Sequence, residues 1–255
     1  MKITITQCYT GDMKFFDRPL VAPAILLGVA LFAGLAFVGW GISARGQGNT
    51  ISVTGSASVA STADTASWTI DINENAYPGE VASVSAHVVS DANIIAKYLA
   101  NQKLASTSIT SATVSSSGNY SSKDGTISGY SVNDSVTIST SDVHKIDTLS
   151  HDITALDALL SDGANLSPEQ PQYYISTLAA LRVSLLGAAI KDAKARASAI
   201  AQSGGSSVGA LETASSGVVQ VLAPNSTNVE DYGQYDTSSI DKQVTVTVRA
   251  NFYVQ

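Results

Sequence analysis

Apolar and polar positions along this chain repeat with two different periods, and the changes between them mark out the elements. Ile51-Ser-Val53-Thr and Trp68-Thr-Ile70-Asp-Ile72 alternate at every second residue, the period of a strand with one polar face. After Pro78-Gly79-Glu80 the period lengthens. Val81, Val84, Val88, Ile95 and Leu99 then fall on one face of a helix, with His87 and Lys97 off that stripe. Two strands follow over 107–117 and 126–140, and the Asp124-Gly125 pair between them is a hairpin signal. A second helix over 142–160 takes Ser141 or Asp142 as its N-cap and buries Val143, Ile146, Leu149, Ile153, Leu156 and Leu160. A short strand over 165–176 leads into the longest helix of this part, 178–203, which stops at Gly204-Gly205. Strands over 208–221 and 240–254 close the chain. In the second of these, Val244, Val246 and Val248 alternate with Thr245, Thr247 and Arg249. The order predicts an α+β fold of antiparallel β-hairpins with three packed helices.

Ahead of all this lies a different pattern. Leu20 to Ile42 is an uncharged apolar run of 23 residues, bracketed by Arg18 and Arg45. At about 1.5 Å per helical residue it covers about 35 Å, enough for a hydrocarbon core of about 30 Å. It is too long for the apolar stretch of a cleaved signal peptide, and no small-x-small site follows it. The expected organisation is a cytoplasmic leader (1–19), a transmembrane signal anchor (20–42), a linker (43–50) and an outer domain (51–255). Lys2, Lys14 and Arg18 in the leader face only Arg45 in the 50 residues after the run, so the N-terminus is expected in the cytoplasm. The expected location is the inner or cell membrane, with one crossing in the lipid bilayer and the bulk of the chain periplasmic or extracellular. Ala24, Gly28, Ala30 and Gly34 offer a small-residue face on which anchors could pack against each other.

Charge narrows the class further. Of 14 basic and 21 acidic residues, residues 1–45 hold four basic and two acidic, leaving ten and nineteen for the remainder. An acidic outer domain without a basic stripe excludes a nucleic-acid partner. The single cysteine, Cys8, lies in the leader, so the outer domain is built without disulfides.

Catalytic chemistry finds little purchase. Gly205-Ser206-Ser207-Val208-Gly209 matches the G-x-S-x-G pattern of hydrolases, but that serine belongs on a strand-to-helix turn, and here the order is helix to strand. His144 and His151 stand seven apart, beside Asp147 and Asp152, whereas metal ligands on a helix usually sit three or four apart. No catalytic, cofactor or metal residues are assigned. Asn119, Asn133, Asn165 and Asn225 are N-x-S/T acceptors, and Asn133 sits in a predicted strand. Two surfaces remain as candidates for contact. Ala189, Ala193, Ala197 and Ala201 form a face on the long helix that another backbone could approach closely. The aperiodic stretch 222–240 carries Asp231, Tyr232 and Tyr235, which suit an interface with a protein or glycan partner.

Several segments together resemble the SIMPL-domain family of bacterial and archaeal envelope proteins. They are Ile51-Ser-Val-Thr-Gly55, Asp64, Ser128-Gly129-Tyr130 leading to Val136-Thr-Ile138, and Asp192-Ala193-Lys194-Ala195-Arg196-Ala197. Gly205, Val208-Gly209 and Val244-Thr-Val-Thr-Val248 complete the set. That family includes a periplasmic immunogenic protein and a protein linked to oxidative-stress defence, and the anchor resembles its membrane-bound branch. The resemblance implies an extracytoplasmic α+β domain, a large homo-oligomer and no established catalytic residue. The sequence therefore leads to a self-assembling, non-enzymatic envelope protein with a structural or stress-protective role. A binding module using 222–240 is the alternative, and a serine hydrolase a more distant one.

Overall fold

A computed structural model describes residues 21–45, 49–158, 160, 165–226 and 233–255. The chain divides into two compact units, Met1–Thr50 and Ile51–Gln255, each considered by itself.

The first unit contributes helix α1 (Val21–Arg45), about 37 Å long at the usual rise. Leu26, Leu27, Phe32, Leu35, Phe37 and Trp40 are all exposed on it. Phe37 and Trp40 meet edge-on, with ring centres 6.5 Å apart. Among residues with described side chains, no helix is long and apolar enough to cross a membrane. The ends of the expected span, 20–24 and 41–42, lie outside that set.

The second unit is α+β, with two sheets. Its elements are β1 (Thr50–Thr62), β2 (Thr65–Ala76), α2 (Val81–Asn101), β3 (Ser108–Ser111), β4 (Ser115–Tyr120) and β5 (Ile127–Thr140). Then come α3 (Val143–His151), α4 (Ile153–Asp157), β6 (Asn165–Pro168), β7 (Gln172–Tyr174), α5 (Leu178–Ser203), β8 (Val208–Leu222) and β9 (Asp241–Val254). A six-stranded sheet runs β3-β5-β2-β6, with β4 also on β5 and β7 also on β2. A three-stranded sheet runs β1-β9-β8.

Alternation explains the larger sheet. Trp68, Ile70 and Ile72 of β2, with Val132, Val136 and Ile138 of β5, point to one face and are fully buried. Val88, Ala92, Ile95 and Leu99 of α2 and Val143 and Ile146 of α3 join that core. Burying one such aliphatic side chain contributes about 1.5–3 kcal/mol. The opposite face carries Thr69 against Thr137, with hydroxyls 3.0 Å apart, and Asn73 bonded to Asn133.

The smaller sheet is covered by α5. Ala189, Ala193 and Ala197 pack on Val53 of β1 and Val248, Ala250 and Phe252 of β9. Helix α5 ends with Ser206 N bonded to Ala201 O at 2.9 Å and Gly205 at φ +76, the left-handed close that glycine favours.

Three predicted elements come out divided. The 107–117 strand is β3 and β4, both antiparallel to β5. Ser111 pairs with Val136 and Ser115 with Asn133, so four steps oppose three and one residue bulges out. The 142–160 helix breaks at Asp152 (φ −102, ψ 61), whose carboxylate accepts from Ala155 N and starts α4 anew. Asp142 precedes α3, but its side chain accepts from Ala105 N at 2.6 Å instead of capping the helix. The 165–176 strand is β6 and β7, separated by a turn that contains Pro171. A ring without an N–H cannot continue a ladder.

The two sheets share one continuous stretch of chain, because β1 lies in the smaller and β2 in the larger. Where it crosses, Ala63 N donates to Ile240 O (2.9 Å) and Asp64 N to Tyr174 O (3.0 Å).

Candidate functional site

The turn after β6 and helix α3 line a cleft that holds several titratable and hydroxyl side chains. It holds about 430 Å³ and is lined by Asp147, Ser150, His151, Glu169, Tyr173 and Ser238, with Pro168 and Pro171 at its margin. Helical spacing brings Asp147 and His151 to one face of α3, four residues apart. The turn is pinned from both sides, as Glu169 N donates to Thr69 O (2.9 Å) and Trp68 Nε1 donates to Glu169 O (2.9 Å).

Inside the cleft, the buried Tyr173 hydroxyl donates to Asp147 Oδ1 at 2.9 Å. Burial, with the Asp147 carboxylate as hydrogen-bond and charge partner, pushes the phenol well above its ordinary range, so it stays a proton donor. His151 Nδ1 lies 2.7 Å from Asp147 O. With the proton on that nitrogen, the imidazole is fixed by its own helix and keeps Nε2 as an acceptor. The arrangement can orient a small polar ligand. The phenol proton is taken up by Asp147 Oδ1, and the carboxylate keeps acceptor capacity on its second oxygen. Among the described residues no group of three or more His, Cys, Asp or Glu is placed to hold a metal ion.

A second cluster joins the two sheets. Asp64 takes Ser176 N on Oδ1 and Ser176 Oγ on Oδ2, both at 2.8 Å, and Thr65 Oγ1 at 3.1 Å. Nearby, Lys242 is almost wholly buried at 1% exposure. Its ammonium donates to Asp236 O and lies 5.6 Å from the centre of the Tyr235 ring. Burial pulls the Lys242 ammonium below its usual range, against the opposing charge of Asp236. Burial alone would raise Asp236. Hydrogen bonds from Ser239 and from the side chain and backbone of Ser238, together with Lys242, outweigh it and hold the carboxyl at about 2.

The residues singled out from the sequence are dispersed. Tyr235 is half-buried, accepting from Ile175 N at 2.8 Å and stacked near Tyr174. It serves the junction between the sheets, while Asp231 and Tyr232 lie outside the described residues. Ala189, Ala193, Ala197 and Ala201 are buried, and at Ala189 and Ala193 the backbone that comes close is that of Gly55 in β1 of the same chain. On α1, Ala30 and Gly34 lie with Leu27, Leu31, Leu35 and Val38 along one face, and a side chain added at Gly28 or Gly34 would meet nothing within 4 Å. The Ala24 side chain lies outside the described set. Ser207 sits between α5 and β8, its backbone paired twice with Gln255 at 2.8 and 2.9 Å, so the strand-to-helix turn of a hydrolase nucleophile is not formed there. Of the acceptor asparagines, Asn225 occupies an exposed turn at φ +62, whereas Asn133, Asn165 and Asn119 stand within strands, Asn119 one residue before the end of β4.

Sequence reasoning named Asp147 and His151 only as weak metal candidates, and it passed over Glu169, Tyr173 and Lys242. Their partners lie far away in sequence, and no local spacing marks them. Lys242, standing where the β9 alternation calls for an inward residue, was the one available signal.

No curated protein matches the chain. The model of the SIMPL family, described as a protein of unknown function (DUF541), matches residues 51–252, which is both sheets and every helix packed on them. The shared pattern is thus the whole α+β fold and not one segment of it, and the chain belongs to the SIMPL family.

Proposed function

We propose that this chain is a single-pass membrane protein whose outer domain assembles with copies of itself, as a structural and stress-protective element of the cell envelope and not as a catalyst. The anchor rests on the uncharged run 20–42 and on the three basic residues ahead of it, which favour a cytoplasmic N-terminus. The stress-protective role rests on the family resemblance alone.

The observation that carries self-assembly is the edge of β8, which pairs with no further strand among the described residues over 210–217. In the order β1-β9-β8 that strand ends its sheet, and residues 210–217 are exposed without a break. Further on, the edge is covered. Val221 N donates to Gln234 O and Asp236 N to Val221 O, both at 2.8 Å. An open edge presents unpaired N–H and C=O groups that a second strand can take up. Register shifts along β8 twist that edge and restrict what can pair with it.

Binding through 222–240 has less support, because Tyr235 is engaged within the chain. The test is the mass of the full-length protein in mild detergent, beside residues 46–255 alone. One large discrete species in both is expected, and a Leu211→Lys, Ala214→Lys pair should reduce it to smaller species. A monomer in both samples overturns assembly. Orientation is read from Cys8, which an impermeant maleimide should label only after the membrane is opened; labelling of intact cells reverses the topology.

A further inference from the structure

At the far end of the six-stranded sheet, where β2 finishes and the β4–β5 hairpin begins, a cleft of about 310 Å³ has a composition unlike the rest of this acidic domain. Its lining is Asn75, Tyr77, Asn119, Ser128, Gly129 and Tyr130, together with Ala76, and no ionisable acid or base other than tyrosine takes part. We propose that this cleft binds an uncharged saccharide.

The polar groups are held in place before any ligand arrives. Ser131 Oγ lies 3.3 Å from Asn75 Oδ1, where it donates, and 3.2 Å from Asn119 Nδ2, from which it accepts. Ser128 Oγ donates to Asn119 O at 3.1 Å. The two carboxamides are therefore bridged by one hydroxyl, and their remaining capacity is directed. Asn75 Nδ2 and the hydroxyls of Tyr77 and Tyr130 make no hydrogen bond among the described residues. A carboxamide carries donors and acceptors in one group, as a sugar diol does, so each Asn can satisfy a hydroxyl in both senses.

The rings supply the other half of the match. Tyr77 is 72% exposed, and the nearby Tyr120 is 69% exposed. Aromatic faces are electron-rich and attract the weakly positive C–H bonds of a pyranose ring, while the phenol end stays wet. Gly129 lines the cleft without a side chain, and a Cβ there would stand 3.2 Å from Ala76 O, a close approach to the backbone of β2.

Charge decides against other small ligands. A phosphate or carboxylate would need a cation, and none lines the cleft, while the chain as a whole carries a net charge of −7. An organic cation would be expected to find a carboxylate, and none lines the cleft, since Glu80, which accepts from Tyr77 N at 3.4 Å, is outside the lining. The cleft also opens onto a face of similar chemistry. Along β2 and β5 that face pairs Asn75 with Ser131, Asn73 with Asn133, Asp71 with Ser135, Thr69 with Thr137 and Ser67 with Ser139. Asp71 is the one acidic residue among those pairs, so a saccharide chain leaving the cleft would continue mostly over hydroxyls and amides.

The experiment uses the full-length protein in a polyoxyethylene detergent, which has no sugar headgroup to compete. Maltotriose and N,N′,N″-triacetylchitotriose are titrated separately, with saturation-transfer NMR and calorimetry as readouts. Saturable binding of at least one, at millimolar affinity or tighter, is expected. Tyr77→Ala and Asn75→Ala should each weaken it by about tenfold or more, and Tyr77→Phe should retain most of it. Asn75 is chosen over Asn119 because its loss leaves the Asn119-Tyr-Ser sequon intact. Tyr253→Ala, at an exposed tyrosine on the other sheet, should change nothing. Absence of saturable binding by either sugar overturns the proposal, as does binding that survives both Tyr77→Ala and Asn75→Ala. So does equal binding of an anionic trisaccharide such as trigalacturonate, because the neutral lining would then not be selecting the ligand.

Discussion

Gly55 of β1 lies directly beneath Ala193 of α5, with no room for a side chain between them. A Cβ on Gly55 would stand 2.7 Å from Ala193 Cβ, 2.5 Å from Ala193 N and 2.2 Å from Ala189 O. The four-residue alanine repeat of α5 is what lets helix and strand meet this closely, since both partners have shed their side chains at the crossing.

Gly55→Ala should therefore destabilise the α+β domain by at least about 1–3 kcal/mol, the usual cost of forcing atoms into a packed core. Urea denaturation followed by circular dichroism would measure it. Two of the three close atoms are backbone, so adding Ala193→Gly should fail to restore the loss. Recovery in the double variant would show that only the Ala193 methyl was in the way.

One residue along from that contact, Asp192 ties the same helix to the same strand. Its Oδ2 accepts from Ser56 N at 2.9 Å and from Arg196 Nε at 2.8 Å. The Ser56 backbone bond and then Arg196 hold the carboxyl below its ordinary range. A depressed carboxyl contributes stability above the unfolded value of about 3.9 and loses it as the pH falls through the folded value. Asp192→Ala should lower the melting temperature at pH 7, and Asp192→Asn less, because its amide oxygen can still accept from Ser56. Below about pH 3 the Asp192→Ala deficit should shrink. A deficit independent of pH would mean that the carboxylate charge plays no part.

Asp134 has the opposite sign. It stands between Val132 and Val136 on the buried face of β5, only 6% exposed, and among the described residues its carboxylate accepts one hydrogen bond, from Ser135 N at 2.7 Å. Burial raises its carboxyl above the ordinary value, and the Ser135 bond offsets this only partly. The folded state then holds its proton more tightly than the unfolded chain does. Stability is complete below about pH 4 and falls as the pH rises through the folded value. Asp134→Asn should raise stability at pH 7 and leave it unchanged at low pH, as thermal melts at both would record. A loss at pH 7 would mean that the carboxylate has a favourable partner in the folded protein.

Elements with a sustained period were legible in advance. Helices α2 and α5 and strand β9 fall where spacing places them, because one face of each meets a core, and β8 falls in its expected place although residues 210–217 of it are exposed. The breaks were not legible. A single bulged residue between β3 and β4 and a single turn at Asp152 leave the apolar pattern nearly intact on both sides, so periodicity runs through them. The division of β1 and β2 between two sheets is hidden for a similar reason, since alternation says which face is buried but not against what. The clefts were less legible still. Asn75 and Asn119 are joined by Ser131, and Asp147 is joined to Tyr173, through pairings set by tertiary structure. Tyr235 looked like a surface residue because a stretch without period gives no inward direction, and its role became visible only with Ile175 N on its hydroxyl.

Asp64 offers the sharpest test of how the two sheets are held as one domain. The chain crosses between them at Ala63-Asp64, and the carboxylate there takes three hydrogen bonds, from Ser176 N, Ser176 Oγ and Thr65 Oγ1. Ser176 itself lies between β7 of the larger sheet and α5, which covers the smaller one, so the contact ties two crossing points together. Burial works to raise the carboxyl, but the backbone and side-chain bonds from Ser176, then Thr65, prevail and lower it. Hydrogen bonds to a charged group contribute about 1.5–3 kcal/mol each when well shielded, and this site is only part-buried. Asp64→Ala should thus cost about 2 kcal/mol in all, and Ser176→Ala, which spares the backbone bond, about 1 kcal/mol. The contribution is present above the unfolded carboxyl value of about 3.9 and disappears as the pH falls through the lower folded value, so acid should weaken the wild type more than Asp64→Ala. Amide exchange at Ser176 gives a local readout. In Asp64→Ala it should quicken more than exchange in the middle of β5. Unchanged protection at Ser176, with stability within about 0.5 kcal/mol of wild type, would show that the sheets are held by their apolar cores alone.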